Sequence, residues 1–402
     1  MKYTYYFGPT KTEGDGEQSL LLGGKGANLA EMSNLGLPVP PGFTITTEAC
    51  NYFMKHSAFP SDLISQINAK IESLEKQMGR KFGSIDNPLL VSVRSGSKIS
   101  MPGMMETVLN VGLTESTVKG LAKISGNDQY AYDSYRRLIM MYADVVIEKS
   151  NNISVDNNLG IRSQLENFMN LYKKKINCKS DAQLSGNDLK IICQEFKTII
   201  YEKFNAHFPD DPYIQLQSAI EAVFKSWNGD RAIQYRNIEN IPHNMGTAVN
   251  IQSMVFGNLC NNSATGVAFT RNPSTGENVL YGEWLEKAQG EDVVAGIRTP
   301  NPINEDSRSN NSNKSLTLEQ KYPDIYNQLC SIKEKLEMHY KDMQDIEFTI
   351  ENKNLWMLQT RKGKRNGVSS IKIAIDMNKE KMINKKEMLN RISSNHLNEI
   401  ML

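Results

Sequence analysis

Asp345 and Glu347, two positions apart, and Gln359 and Arg361, again two apart, are the residues of this 402-residue chain whose types and spacing point most directly to chemistry. They lie in two runs, 345–350 and 355–361, that alternate apolar and polar residues with the period of a strand. A three-residue turn at 352–354 would pair Glu347 with Gln359 and Asp345 with Arg361, placing opposed Cβ atoms about 4.5–5.5 Å apart. The same register would stack Ile346, Phe348, Ile350, Trp356 and Leu358 on the other, core-facing side, and a one-residue slip would mix the two sets. A carboxylate beside an amide offers oxygen ligands for Mg²⁺, which takes few protein groups and fills its shell with phosphate and water. Arg361 could then grip a phosphate in bidentate fashion. The plainer alternative is an exposed strand face carrying a surface ion pair.

Two further segments have the composition of anion sites. Gly23-Gly24-Lys25-Gly26-Ala27-Asn28 precedes an amphipathic run (Leu29, Met32, Leu35), so backbone amides could approach an anion while Lys25 supplies a point charge. It is not a Walker A motif, because Gly follows the lysine; alone it reads first as the plain turn that starts a helix. Arg94 leaves an apolar strand and enters the loop Ser95-Gly96-Ser97-Lys98, as a strand-end arginine does when it meets phosphate oxygens. Met101-Pro102-Gly103-Met104-Met105 follows, and methionines there serve as well for core filling. Gln289 to Gly296 reads as an acidic turn, and Arg136 and Arg137 as solvated or ion-paired helix residues.

These residues need elements to hold them. Short strands are expected at 43–46, 89–93, 249–256, 266–270 and 279–281, a helix at about 63–78 behind Ser61-Asp62, and an almost wholly helical stretch from 114 to 205. One helical stripe there carries Tyr135, Leu138, Ile139, Tyr142, Val145 and Val146; another carries Leu189, Ile192, Phe196, Ile199 and Ile200. Ile325, Leu329, Ile332, Leu336 and Met343 form a later helix. The Asn- and Ser-rich run 304–315 reads as a mobile surface loop, and the last forty residues as a linker. Lys plus Arg (46) and Asp plus Glu (45) nearly cancel, so no global charge draws the chain to nucleic acid or to an anionic membrane. Five scattered cysteines without a CxxC pair argue against a disulfide framework or zinc site and suit a reducing compartment. No run approaches the ~18 apolar residues of a membrane span. A cytoplasmic protein is expected.

Taken together, 23–32, 94–109, 265–273, 288–300 and 344–361 resemble, in order, the N-terminal nucleotide-binding region of pyruvate phosphate dikinases, over roughly residues 1–362. The Ser-Met-Pro-Gly-Met-Met run at 100–105 sets the chain apart from phosphoenolpyruvate synthases, and glucan dikinases diverge further. The resemblance implies an α+β, ATP-grasp-like, two-lobed fold with a helical insert. Its first lobe would span 1–113, with about 206–248 returning to it, its insert 114–205, its second lobe 249–362, and 363–402 would lead toward a phosphohistidine domain.

By the same resemblance Lys25, Arg94 and Arg361 would serve the ATP phosphates catalytically. Gly103, Met104 and Met105 would form a loop covering them, with Thr265 and Gly266 nearby. Glu291 and Val293 would lie by the adenine, Glu347 and Gln359 would ligate Mg²⁺, and Asp345 would complete the phosphate end with Arg361. The family's reaction turns ATP, inorganic phosphate and pyruvate into AMP, pyrophosphate and phosphoenolpyruvate through a histidine that follows a Thr-Ser pair. His56, His207, His243, His339 and His396 follow Lys, Ala, Pro, Met and Asn. The expectation is therefore the ATP-binding piece of a longer homodimeric enzyme, without turnover by itself and partnered by the absent phosphohistidine and pyruvate-binding domains. The equivalent piece of a phosphoenolpyruvate synthase and a non-catalytic ATP-binding module are the competing readings. Lys98 in place of the usual arginine, Cys260 in place of a glycine and an inserted 304–315 run are the departures from the family pattern.

Overall fold

The computed structural model describes residues 1–99, 101, 103–151, 160–294, 298–308, 315–394, 396 and 399, with residues 291 and 294 by backbone alone. The chain divides into two compact units: residues 1–31 with 40–254, and residues 32–39 with 255–402.

The first unit contains strands β1 (Thr4–Phe7), β2 (Gly42–Ile45), β3 (Lys81–Phe82), β4 (Pro88–Leu89), β5 (Val91–Gly96), β6 (Thr107–Val111) and β7 (Ala248–Ser253). Its helices are α1 (Ser19–Asn34), whose last residues belong to the second unit, then α2 (Thr47–His56), α3 (Leu63–Met78), α4 (Thr117–Ser125), α5 (Asp128–Tyr142), α6 (Ile161–Lys175), α7 (Gly186–Phe204), α8 (Pro212–Ser226) and α9 (Asp230–Ile238). The main sheet is antiparallel in the order β1-β2-β7-β5-β6, and β3 and β4 form a separate parallel pair. The 249–256 run, expected in the second lobe, is the central strand of this first sheet: every residue of β7 is buried, and both its edges are paired. Local chemistry sets the helix starts. Thr46 caps α2, Asn127 caps α5, Ser185 and Asp188 form a capping box on α7, and Asp211 caps α8, whose first residue is Pro212. The stripe on α5 runs on through a π-helical turn, Ala143–Glu148, and its six apolar residues are all buried. Arg136 and Arg137 are ion-paired, both to Asp133.

The second unit contains β8 (Ala264–Phe269), β9 (Tyr281–Glu286), β10 (Asn301–Pro302), β11 (Gln344–Glu351) and β12 (Asn354–Lys362), in sheet order β10-β9-β8-β11-β12. Its helices are α10 (Gly290–Val294), α11 (Leu318–Lys321), α12 (Pro323–Tyr340), α13 (Gly367–Lys379) and α14 (Lys385–Asn390). The expected strand at 279–281 is displaced: β9 starts at Tyr281, because the following residues alternate and bury Gly282 and Trp284. The expected mobile loop is ordered at its start. Asn304 is buried, caps a 3₁₀ turn at 305–307 and donates to the Leu280 carbonyl (2.6 Å) and the Tyr326 hydroxyl (3.0 Å), while residues 309–314 lie outside the described residues. The last forty residues are not a bare linker either. Ile373 and Met377 of α13 pack with Met343 and Ile383 in one apolar cluster.

Beyond the end of β8, Arg271 is fully buried and holds α12 and the end of α13 together. It bonds Glu337 at 2.8–3.1 Å and Glu380 at 2.6 and 3.2 Å. Removing one partner of such a buried set strands a charge in a low dielectric. Arg271→Met should therefore cost about 3–5 kcal/mol in denaturant unfolding; a loss below about 1 kcal/mol would show that the set is not a structural tie.

Two carboxyls of the first unit make its stability pH-dependent. Burial alone would raise Glu13, but hydrogen bonds from Lys11, Lys70 and the Tyr6 amide overcome it and hold the group down to about 2. Burial would likewise raise Asp133, but Arg136 and Arg137 bring it down to about 2. A carboxyl depressed in the folded state stabilises fully above its unfolded value of ~4, and that contribution is lost as the pH falls toward 2. Glu13→Gln and Asp133→Asn should each flatten the stability profile between about pH 4 and 2 in an acid titration followed by circular dichroism. An unchanged slope there would contradict the assignment.

Candidate functional site

The site residues of each unit are built by different means, and the second unit uses strand register. β11 pairs with β8 on one side and β12 on the other, so its alternation decides what both neighbours present. The hairpin turn is not the three residues expected. Glu351 pairs with Asn354, leaving Asn352 and Lys353 as a two-residue turn, both at positive φ (46° and 67°), as a type I′ hairpin requires. A bulge between Glu347 and Phe348 then adds one residue to β12. Past the bulge the register returns to the expected one, with Glu347 opposite Gln359 and Asp345 opposite Arg361.

Before the bulge the facing is reversed. Leu355 and Met357 join Ile346, Phe348 and Ile350 in the core, whereas Trp356 and Leu358 are only half-buried. Trp356 pairs with Thr349 and so shares the face of Asp345, Glu347, Gln359 and Arg361. Its indole N–H is buried without a hydrogen-bond partner among the described residues. That assignment corrects the core role expected of Trp356.

Asp345 Oδ2 accepts from Arg361 Nε at 2.7 Å, with the aspartate nearly buried and the arginine 54% exposed. Because the bond uses Nε, the ion pair orients the guanidinium without occupying its terminal nitrogens, the ones that grip phosphate in a fork. Thr265 is on the same face by register, buried, its hydroxyl donating to the Phe348 carbonyl (3.1 Å) and 3.3 Å from the Thr349 hydroxyl. Gly266 does not join them. A Cβ there would come 2.5 Å from the Phe348 ring and 2.7 Å from the Glu283 carbonyl, so this glycine faces the core and is required by packing. Val293 lies on α10, half-buried; Glu291 is on the same short helix, and its side chain lies outside the described residues. Among the described residues no three His, Cys, Asp or Glu side chains converge as a preformed metal cage. One carboxylate and one amide oxygen, from Glu347 and Gln359, nonetheless fit Mg²⁺, whose remaining ligands are phosphate and water.

The first unit gathers its cations by close backbone approach. The kink of α1 at Gly23 (φ 66°) presses that residue onto the end of β5: a Cβ on Gly23 would stand 1.5 Å from the Gly96 carbonyl oxygen. Gly24 N–H donates to the Ser97 carbonyl at 3.0 Å. A Cβ on Gly96 would lie 3.4 Å from Lys25 Cβ, so Lys25 is seated beside the last residue of β5; Arg94, expected at the strand end, lies two residues inside it, paired with Thr107 and Asn250. Arg94 Nη1 reaches Gln252 Oε1 at 3.5 Å. Lys98 is exposed in the following loop. In the methionine loop, Met104 N–H closes a turn onto the Met101 carbonyl (3.2 Å) with Gly103 at φ 71°. Met101 is buried with Trp227, Ala232 and Ile241, and Met104 and Met105 pack against that cluster. The methionines are thus packed, while Gly103 is exposed and a Cβ there would meet nothing within 4 Å.

With this geometry in hand, the comparisons with known proteins are specific. The family model described as "Pyruvate phosphate dikinase, AMP/ATP-binding domain" matches residues 19–59, 55–321 and 303–382. The chain is 50% identical over 401 residues to the pyruvate, phosphate dikinase of Rhizobium meliloti (strain 1021), covering 100% of this chain and 43% of that protein. It is 47% identical over 402 residues to the Clostridium symbiosum enzyme (100% and 43%) and 46% identical over 403 residues to that of Giardia intestinalis (99% and 43%). The chain belongs to the pyruvate phosphate dikinase AMP/ATP-binding domain family, and it spans 43% of the length of these curated relatives.

The facing of the hairpin is testable by stability alone. Phe348→Ala, on the core side, should cost about 3–5 kcal/mol, and Trp356→Ala at least about 1 kcal/mol less. Glu347→Gln, on the half-exposed face, should stay within about 0.5 kcal/mol. Thermal melts of the three variants measure this; if Trp356→Ala were the most damaging, the bulge would be misplaced.

Proposed function

Proceeding from that family membership, we propose that this chain binds Mg-ATP and forms the nucleotide half of a pyruvate, phosphate dikinase. The observation that carries the reading is the face of the β11–β12 hairpin, where a Glu–Gln pair suited to Mg²⁺ adjoins an arginine already oriented by a buried aspartate. Phosphoryl transfer asks a protein mainly for positioning and charge neutralisation. Arg361 would hold a phosphate through its terminal nitrogens, with Asp345 fixing the plane of the fork. Lys25 and Arg94 would supply two further charges, and the 101–105 turn would cover the phosphates through Gly103 rather than through its packed methionines. Thr265 would border the phosphates; Glu291 and Val293 would border the adenine. Glu347 and Gln359 would hold Mg²⁺, which when bound neutralises phosphate charge. Inorganic phosphate, the phosphohistidine and pyruvate-binding domains, and a homodimer belong to the whole enzyme as we propose it. Cytoplasmic residence fits five free cysteines, two of them, Cys50 and Cys193, with thiols that burial pushes up to about 12.

Calorimetry should show ATP binding that requires Mg²⁺, and the chain by itself should form no phosphoenolpyruvate from pyruvate. Glu347→Gln should weaken the Mg²⁺ dependence, and Arg361→Lys should weaken binding at least about tenfold because lysine cannot reproduce a bidentate grip. Magnesium-independent binding, or binding indifferent to both substitutions, would sink the proposal.

A further inference from the structure

One fully buried amide in the first unit stands between the two glycine-rich segments that carry the cations. Asn250, in the middle of β7, lies opposite Thr44 of β2 and Arg94 of β5. Its Oδ1 accepts a hydrogen bond from the Thr44 hydroxyl at 2.8 Å. Its Nδ2 is equally buried and has no hydrogen-bond partner among the described residues. A buried donor left unpaired is disfavoured relative to an apolar isostere, so its retention calls for a reason other than stability.

The glycines around it supply one. A Cβ on Gly26 would come 2.8 Å from Asn250 Oδ1 and 2.7 Å from the Thr44 hydroxyl, and a Cβ on Gly96 would come 2.5 Å from Asn250 Nδ2. Both glycines are therefore pressed against the same amide, one at each of its polar ends. Gly23 and Gly24 meet the same loop: a Cβ on Gly23 would stand 1.5 Å from the Gly96 carbonyl oxygen, and Gly24 N–H donates to the Ser97 carbonyl at 3.0 Å. Lys25 is the residue enclosed between these contacts, with Arg94 opposite Asn250 in the register.

We propose that Asn250 is a positioning residue for the phosphate grip: its amide is the spacer that fixes the separation of the Gly23–Gly26 turn from the Gly96–Lys98 loop, and hence where Lys25 presents its ammonium relative to Arg94. The proposal rests on the reading that Lys25 and Arg94 hold ATP phosphates, and its test has one arm that does not. In Asn250→Ala, hydrogen exchange of amides 23–27 and 96–98 should quicken at least about tenfold, with the amides of α7 unchanged. Asn250→Ser, which keeps a hydroxyl for Thr44, replaces the alanine variant if that one does not fold. In the second arm Mg-ATP affinity is measured for Asn250→Ala, for Lys25→Met and for the double variant. Asn250→Ala should weaken binding about tenfold alone and less than about twofold in the Lys25→Met background, since a residue acting through Lys25 cannot add to its loss. Unchanged exchange in the two glycine segments, or strictly additive affinity losses, would overturn the proposal. A chain that binds no Mg-ATP would refute the functional reading instead, and the exchange arm would then decide the spacer role by itself.

Discussion

Pairing on both edges of β11 is the constraint on which the second unit depends. A strand held by β8 and β12 at once cannot slip without moving both, so its alternation sorts every side chain on three strands into core or site. Ile346, Phe348 and Ile350 fill the core side, and Gly266 must lack a side chain because the Phe348 ring lies over it. Asp345, Glu347 and Thr349 take the other side, and with them come Arg361, Gln359 and Trp356. The type I′ turn and the bulge act in opposite senses. The turn suits the twist of the strands but sets a register one residue short; the bulge restores it before Glu347 and Arg361 are reached. A bulge next to a candidate site, where it re-aims side chains, is a recurrent use of that irregularity.

The first unit solves the same problem with the opposite material. Its cations are not on one continuous strand face; they are assembled by backbone segments that approach closer than any Cβ would permit. Gly23, Gly26 and Gly96 are each excluded from carrying a side chain by a named neighbour, respectively the Gly96 carbonyl, the Thr44–Asn250 pair and the Asn250 amide. Such an arrangement gains little apolar burial. Its geometry is over-determined by contacts rather than stabilised by them, which is how strained positions persist at sites that bind.

How much of this was legible in the sequence follows from which forces are local. The hairpin, the α3 and α5–α7 helices and the Asp345–Arg361 pairing are encoded by periodicity, caps and turns within a few residues of each other, and these were readable. The facing of Trp356 was not, because a two-residue turn plus a bulge and a three-residue turn give the same register at Glu347 and differ only between them. The membership of the 249–256 run in the first unit rather than the second lobe is not legible, because the partners of β7, β2 and β5, lie some 200 and 150 residues away, and no local pattern names a distant edge. Arg271, Asn250 and the packing role of Gly266 were invisible for the same reason: each is defined by what it touches across the fold. The Asn-rich start at Asn304 misled because a polar side chain that caps a turn and bonds two neighbours looks, in composition, like one that faces water.

The proposed magnesium role would account for how few residues of the candidate site advertise themselves. A cation that keeps waters and takes phosphate oxygens needs only one or two groups from the protein, so Glu347 and Gln359 form no cluster that chemistry alone would single out. Charge is economised as well. The chain carries nearly equal numbers of acids and bases, and its candidate cations are concentrated locally: Arg361 is oriented by Asp345 in one unit, and in the other Lys25 is seated beside Gly96, the last residue of the strand that carries Arg94. Neither group of residues is persuasive by itself, since an ion pair on a strand and a lysine in a glycine turn are both common. What distinguishes them is that each is held by a device with no other evident purpose, a compensating bulge in one case and a buried, half-bonded amide in the other. Stability alone would favour a regular hairpin and an apolar residue at position 250, so both devices support the binding role proposed for these positions.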